Sequence, residues 1–85
     1  MNSQNKQLHS NLGFVSTQLG NVVEAEKHLA KALSLDPDYM QAMLNMIQLQ
    51  VAKGDLVRAK EYYRQFVDKY PEHPTISLLK QGLGI

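Results

Sequence analysis

The sequence contains no cysteine and no tryptophan among its 85 residues, and its net charge is only +1. Without cysteine the chain can form neither a disulfide nor a thiolate metal site. Because acidic and basic residues are interspersed, no basic patch predicts binding to nucleic acid. No apolar run approaches the roughly 18 residues that insertion into a membrane requires. We therefore expect a small globular domain with neither kind of partner.

The first 13 residues, MNSQNKQLHSNLG, are polar and lack the apolar segment of a secretory signal peptide. This absence favours a cytoplasmic location, an expectation that holds unless the chain is a fragment of a longer protein. The sequence gives no other indication of localisation.

Residues 6–39 and 40–73 form an internal repeat with a period of 34 residues and six identities. Chance would give about two identities in such a window. The matches fall at a turn, at a small residue within a helix and at a helix stop, which indicates repeated helical units. The identical pairs are Gly20 and Gly54, Ala25 and Ala59, Pro37 and Pro71, Gln7 and Gln41, Asn11 and Asn45, and Val23 and Val57.

Apolar residues at helical spacing predict an all-α fold of about five antiparallel helices, joined by short turns and without strands. Gly20 and Gly54 end helices, since glycine readily adopts the left-handed conformation found there. Asn21 is expected to cap the second helix in a capping box with Glu24, and Asp38 and Asp55 to cap the third and fourth. The predicted helices span about 5–19, 22–34, 39–53, 56–69 and 74–82.

The positions of the turns, small residues and helix stops in these units resemble those of the tetratricopeptide repeat, an α-solenoid built from helix–turn–helix units. In the first unit the resemblance rests on Asn11-Leu12-Gly13, Gly20-Asn21, Ala25, Leu29, Ala32 and Leu35-Asp36-Pro37. In the second it rests on Asn45-Met46, Gly54-Asp55, Ala59, Tyr63 and Pro71. The resemblance implies one domain over residues 1–85, with repeats at about 6–39 and 40–73 and a terminal helix at about 74–83.

The sequence departs from the family pattern at three positions. His9 stands where the family often has tryptophan, Ile47 replaces the small residue represented by Gly13, and Phe66 replaces the alanine represented by Ala32. Because the last two place bulk where helices approach closely, we expect looser or reoriented packing in and after the second unit.

No residue pattern indicates an enzyme, a cofactor or a metal site. The sequence lacks a nucleophile elbow and a phosphate-binding loop, and its acidic residues are explained as helix caps or exposed charges. The three histidines show no metal-ligand spacing, so we expect a partly buried His9 and solvated His28 and His73.

The resemblance implies that the first helix of each unit lines a concave groove. Its core-facing side is assigned to Leu12, Gly13, Met43, Met46 and Ile47, and the neighbouring stripe is amide-rich with exposed apolar residues. Such a stripe is either an ordinary solvated face or a groove for a protein or peptide partner. In the groove, the paired amides of Asn11 and Asn45 would bracket the partner's backbone. The groove residues predicted on this basis are Gln7, Asn11, Phe14, Gln18, Gln41, Leu44, Asn45 and Gln48.

A carboxylate clamp and self-association are two other modes of interaction to compare with this groove. Some family members clamp a carboxylate with lysine, asparagine and arginine, but only Asn45 matches that pattern, so this clamp is not expected here. The other alternative is a structural element that self-associates or stacks on further repeats. It is motivated by the apolar fifth helix, which carries Ile76, Leu78, Leu79 and Leu83 and is a candidate surface for a homodimer.

Overall fold

Five helices and no strand make up residues 5–85, the part of the chain that the computed structural model describes. The five predicted helices are all found, with ends that differ by at most about two residues. The largest difference is at the start of the fifth helix, where Pro74 and Thr75 form a turn instead of the first helical positions. The helices are α1 (Lys6–Gln18), α2 (Val22–Leu35), α3 (Met40–Lys53), α4 (Leu56–Lys69) and α5 (Ile76–Leu83).

The two hairpin turns share a left-handed glycine but differ in the cap that follows it. Gly20 and Gly54 have φ angles of 80° and 79°, in the left-handed region where glycine carries no side-chain penalty. Asp55 then caps α4, since its Oδ1 accepts a hydrogen bond of 3.1 Å from the backbone N–H of Arg58. Asn21 holds the equivalent position before α2 but makes no side-chain capping bond, so the predicted capping box is wrong.

The turn between α2 and α3 differs from the prediction that Asp38 caps α3. Tyr39 occupies the cap position, and no side chain caps this helix. Asp36 instead closes the turn, since its Oδ1 accepts a 3.1 Å hydrogen bond from the backbone N–H of Asp38. Tyr70, which directly follows α4, donates from its hydroxyl to the carbonyl of Asp38. The turn is therefore held by the side chain of Asp36 and by the end of the second unit.

Lys6, at the start of α1, reaches the same turn. Its Nζ lies 2.6 Å from Asp36 Oδ2 and 4.9 Å from the centre of the Tyr39 ring. The hydrogen bond from Lys6 holds the pKa of Asp36 below its ordinary value and, reciprocally, raises the pKa of Lys6. This ion pair ties the beginning of the first unit to its end.

Close packing of α1 on α2 depends on small residues, as expected from the sequence. A Cβ added to Gly13 would lie 2.5 Å from Leu29 Cγ, so only glycine fits there without a shift. Ala25 and Ala59 are fully buried on α2 and α4. Leu12 differs from the expectation, because it is exposed and not part of the core.

The second unit and α5 share one apolar cluster that contains Ile47, Phe66 and Leu83. Both bulky departures from the family pattern are fully buried there, so the packing accommodates them. Ile76 and Leu79 of α5 pack against the same cluster. The terminal helix therefore covers the part of the second unit that its large residues fill.

Candidate functional site

The first helices of the successive units, α1 and α3, lie side by side, and α5 continues the row. Asn45 of α3 donates from Nδ2 to the carbonyl and hydroxyl oxygens of Ser10 on α1, at 3.2 and 3.0 Å. Residues of α3 and α5 together line a cavity. We call the exposed surface along this row the inner face, which comprises Gln7, Asn11, Phe14, Gln18, Gln41, Gln48, Val51, Leu78 and Gly82.

Six of the eight predicted groove residues are exposed on the inner face. Four of them, Gln7, Asn11, Phe14 and Gln18, lie on α1, and two, Gln41 and Gln48, lie on α3. Phe14 exposes 41% of its surface, a large value for an aromatic residue. Leu44, the seventh, is half-buried and packs against the core cluster of the second unit.

Asn45, the eighth predicted residue, is placed differently. It is only 3% exposed, and both ends of its amide are used inside the protein. Its Nδ2 bonds to Ser10, and its Oδ1 accepts a 3.3 Å hydrogen bond from Gln41 Nε2. The expectation that Asn11 and Asn45 bracket a ligand therefore gives way to a structural role for Asn45. The sequence alone did not show this, because the partner residue is 35 positions away.

A cavity of about 220 Å³ opens between α3 and α5. For comparison, a cavity of about 150 Å³ admits a benzene molecule, so this one has room for an aliphatic or aromatic side chain. Two core residues, Ile47 and Leu83, and the half-buried Leu79 line it together with exposed residues. Gly82 leaves part of it open, since a Cβ there would have no neighbour within 4 Å. The cavity is lined by Ile47, Gln48, Val51, Leu78, Leu79, Gly82 and Leu83.

The repeat period connects this cavity with the predicted groove. Phe14 on α1, Gln48 on α3 and Gly82 on α5 are 34 residues apart and so occupy equivalent positions on three neighbouring helices. None of the inner-face residues carries a charge. Leu78 and Gly82 are not among the predicted groove residues, although the same 34-residue register, extended to the fifth helix, adds both.

A scan against protein families gives a match over residues 16–83 to the family described as Tetratricopeptide repeat. The chain belongs to this family. No curated protein and no solved structure gave a match. Tetratricopeptide repeats are in general non-catalytic modules of protein–protein interaction, so a protein partner is the general expectation for this chain.

No helix within residues 5–85 of this tetratricopeptide protein has both the length and the apolar character needed to cross a membrane. The same residues contain no group of three or more histidine, aspartate or glutamate side chains placed to hold a metal ion.

The three histidines make more contacts with other residues than the sequence indicated. His9 is partly buried as expected, and its ring stacks on that of His28, with the centroids 5.5 Å apart. His73 packs edge-on against Phe66, and its Nδ1 accepts a hydrogen bond from the backbone N–H of Thr75. The expectation that His28 and His73 are solvated is therefore wrong, because each packs against an aromatic ring from another part of the chain.

Proposed function

We propose that this tetratricopeptide protein binds an extended or helical segment of a partner protein along its inner face, with one apolar side chain of the partner inserted between α3 and α5. The cavity between these two helices is the observation that carries the proposal. A side chain inserted there would bury apolar surface, which contributes about 25 cal/mol per Å².

The exposed amides support the same proposal. Asn11, Gln41 and Gln48 flank the path along the inner face, and each amide both donates and accepts hydrogen bonds. Such groups suit the N–H and C=O groups of a partner's backbone, whereas an uncharged surface offers little to an acidic or basic segment. The expected partner segment is therefore neutral, with an apolar anchor.

A second depression lies on the outer side of α2 and is lined by Val23, Glu26, Lys27 and Ala30. It differs from the inner cavity in two respects. Its rim is charged, and Glu26 already pairs with Lys53 at 2.9 Å and with Arg58 at 3.4 Å. All four lining residues belong to one helix, so no crevice between helices receives a side chain. The inner face is favoured for this reason.

The proposal is tested by selecting binding peptides from a displayed random library with the intact chain, and then titrating a selected peptide against variants. Gly82→Leu places a side chain at the edge of the cavity, where the structure has open space, and should abolish binding while the fold remains stable. Leu78→Glu introduces a charge at the rim and should weaken binding strongly.

The matched control is Val23→Glu on the outer face. Leu78 and Val23 are 69% and 70% exposed, so both changes put a carboxylate on an equally exposed apolar position. Peptide binding should be unaffected by the change at Val23. If peptides bind the Gly82→Leu and Leu78→Glu variants as tightly as the native chain, or lose affinity only for Val23→Glu, the proposed inner face is wrong.

The alternative function, assembly by stacking of further repeats, has less support. Met43 and Ile47 are the α3 residues that pack in one cluster with Ala59 of α4. One period later the equivalent α5 positions are Ser77 and Gln81, both polar and exposed. If a further helix packed on α5 in the way that α4 packs on α3, it would bury these two polar side chains.

A homodimer through α5 stays a prediction. It is motivated by the apolar surface that Leu78 and Ile85 expose. It is checked by gel filtration over a range of protein concentrations. A dimer of this kind should dissociate in the Leu78→Glu variant and should be unaffected by Val23→Glu.

A further inference from the structure

We propose that His9 and His28 form a binding site for a divalent transition-metal ion, with Zn²⁺ as the reference ion. Their Nδ1 atoms, on α1 and α2, lie 3.2 Å apart. Zinc binds imidazole nitrogen at about 2.0–2.1 Å with tetrahedral geometry, so two nitrogens on one ion are separated by about 3.3–3.4 Å. The observed spacing is within about 0.2 Å of that separation, so a small movement of the rings would let both nitrogens bind one ion.

Glu24 provides a carboxylate on the far side of the His28 ring. Its Oε2 lies 3.9 Å from His28 Nε2, and its Oε1 lies 3.8 Å from Lys27 Nζ. Metal-bound histidines commonly direct their second ring nitrogen to such a carboxylate, which places the proton there and leaves the other nitrogen free to bind the ion. At 3.9 Å the two groups attract each other without a hydrogen bond, and the negative charge of Glu24 favours the His28 tautomer that has its proton on Nε2 and its lone pair on Nδ1, towards His9.

The two helices hold the rings in place before an ion arrives. One turn after His9, Gly13 contacts Leu29, the residue that follows His28. This contact fixes the distance between the helices beside the two rings. In the metal-free pair, one Nδ1 donates a proton to the other; on binding, that proton moves through water to Nε2 of its own ring. Both lone pairs then face the ion.

The two histidines supply two of the ligands of the ion. His9 and His28 are half-buried, so an ion can reach them from solvent. Two imidazole ligands suit Zn²⁺, Cu²⁺ and Ni²⁺, and they do not suit Mg²⁺ or Ca²⁺, which require oxygen ligands. No local sequence pattern indicates this pair, because the two histidines are 19 positions apart and lie on different helices.

The test uses the chain without a histidine tag, titrated with zinc chloride in a calorimeter. His28→Ala and His9→Ala should each lower the affinity for zinc at least about tenfold, and Glu24→Gln should lower it by up to about tenfold through the second ring nitrogen. The matched control is His73→Ala, which removes the third histidine and should leave the affinity unchanged. Unchanged affinity in His28→Ala, or a loss confined to His73→Ala, overturns the proposal.

NMR spectroscopy of the native chain tests the proposed metal site even if the alanine variants fold poorly. In the native chain, zinc should shift the ring nitrogen resonances of His9 and His28 in NMR spectra and leave those of His73 in place. Magnesium chloride at the same concentration should shift none of them. The absence of a zinc-induced shift at His9 and His28 would show that the two rings form only a hydrogen-bonded pair.

Discussion

Asn45 of α3 is hydrogen bonded to both the carbonyl and the hydroxyl group of Ser10 on α1, in an environment where both residues are buried. The pair joins the first helices of the two units. One period later the equivalent positions are Leu44 and Leu79, both apolar. The positions that are polar between α1 and α3 are thus apolar on α3 and α5, where both leucines pack against the core cluster of the second unit.

Asn45→Ala should lower the free energy of unfolding by about 1–3 kcal/mol, because the buried hydroxyl of Ser10 loses its partner. Urea denaturation measures the change. Asn45→Leu combined with Ser10→Ala should recover part of the loss, since it makes both positions apolar, as they are at Leu44 and Leu79.

Gln48→Ala, on an exposed position of the same helix, is the control and should change stability by less than about 0.5 kcal/mol. An Asn45→Ala protein as stable as the native chain would show that the pair with Ser10 contributes nothing to the fold.

The sequence predicted the helices well because their signals are local. The left-handed turns at Gly20 and Gly54 and the cap at Asp55 each depend on a few adjacent residues. The close approach at Gly13 was also predictable, since a glycine inside a helix needs a packing reason. Asn21 occupies the predicted cap position but makes no side-chain bond there. The cap predicted at Asp38 was wrong, because Tyr39 holds that position and the Asp36 side chain bonds to the backbone of Asp38.

The candidate site was less predictable, because it depends on contacts between helices. Asn45 was assigned to the groove from its spacing, but a rotation of a few tens of degrees about the helix axis separates an exposed position from the buried one that meets Ser10. The cavity beside Gly82 depends on how α5 docks on α3, and the pair of His9 and His28 depends on the register of α1 against α2. None of these relationships is a pattern within one helix.

Gly13→Ala and Gly82→Ala should have opposite effects. At Gly13 the added Cβ meets Leu29 Cγ at 2.5 Å, so we expect a destabilisation of about 1–3 kcal/mol. At Gly82 the added Cβ has no neighbour within 4 Å, and replacing a helical glycine should stabilise the protein by about 0.5–1 kcal/mol. Thermal melts of both variants measure the difference. Equal effects at the two positions would contradict the packing of α1 on α2.

The ion pair of Lys6 and Asp36 should make stability depend on pH at the acidic end. Because the pKa of Asp36 is lowered in the folded protein, its contribution is present above the ordinary aspartate value of about 3.9 and is lost as the pH falls through the lower folded value. Asp36→Asn should therefore be less stable than the native chain at neutral pH, and the difference should vanish in strong acid. Urea denaturation across this range measures it. A difference that does not change with pH would assign the effect to the turn at Asp38 alone.

Leu83→Ala should destabilise the protein by about 2–5 kcal/mol, since Leu83 is only 4% exposed and packs with Phe66 and Ile47. Leu78→Ala removes the same atoms from an exposed position on the same helix and should change stability by less than about 0.5 kcal/mol. Denaturant titration of both variants gives the comparison. Similar small effects would show that α5 contributes little to the core.

The affinity of a peptide selected on the inner face should change little between about 0.1 and 1 M salt, because screening acts on charges and the inner face has none. Phe14→Ala should weaken the same peptide if the segment extends over α1, since an exposed aromatic residue is a frequent anchor. The measurement is a titration at each salt concentration, with Lys31→Ala on the exposed side of α2 as a control that should be silent. A steep fall in affinity with salt, or a loss in Lys31→Ala alone, would place the binding surface among the charged residues outside the inner face.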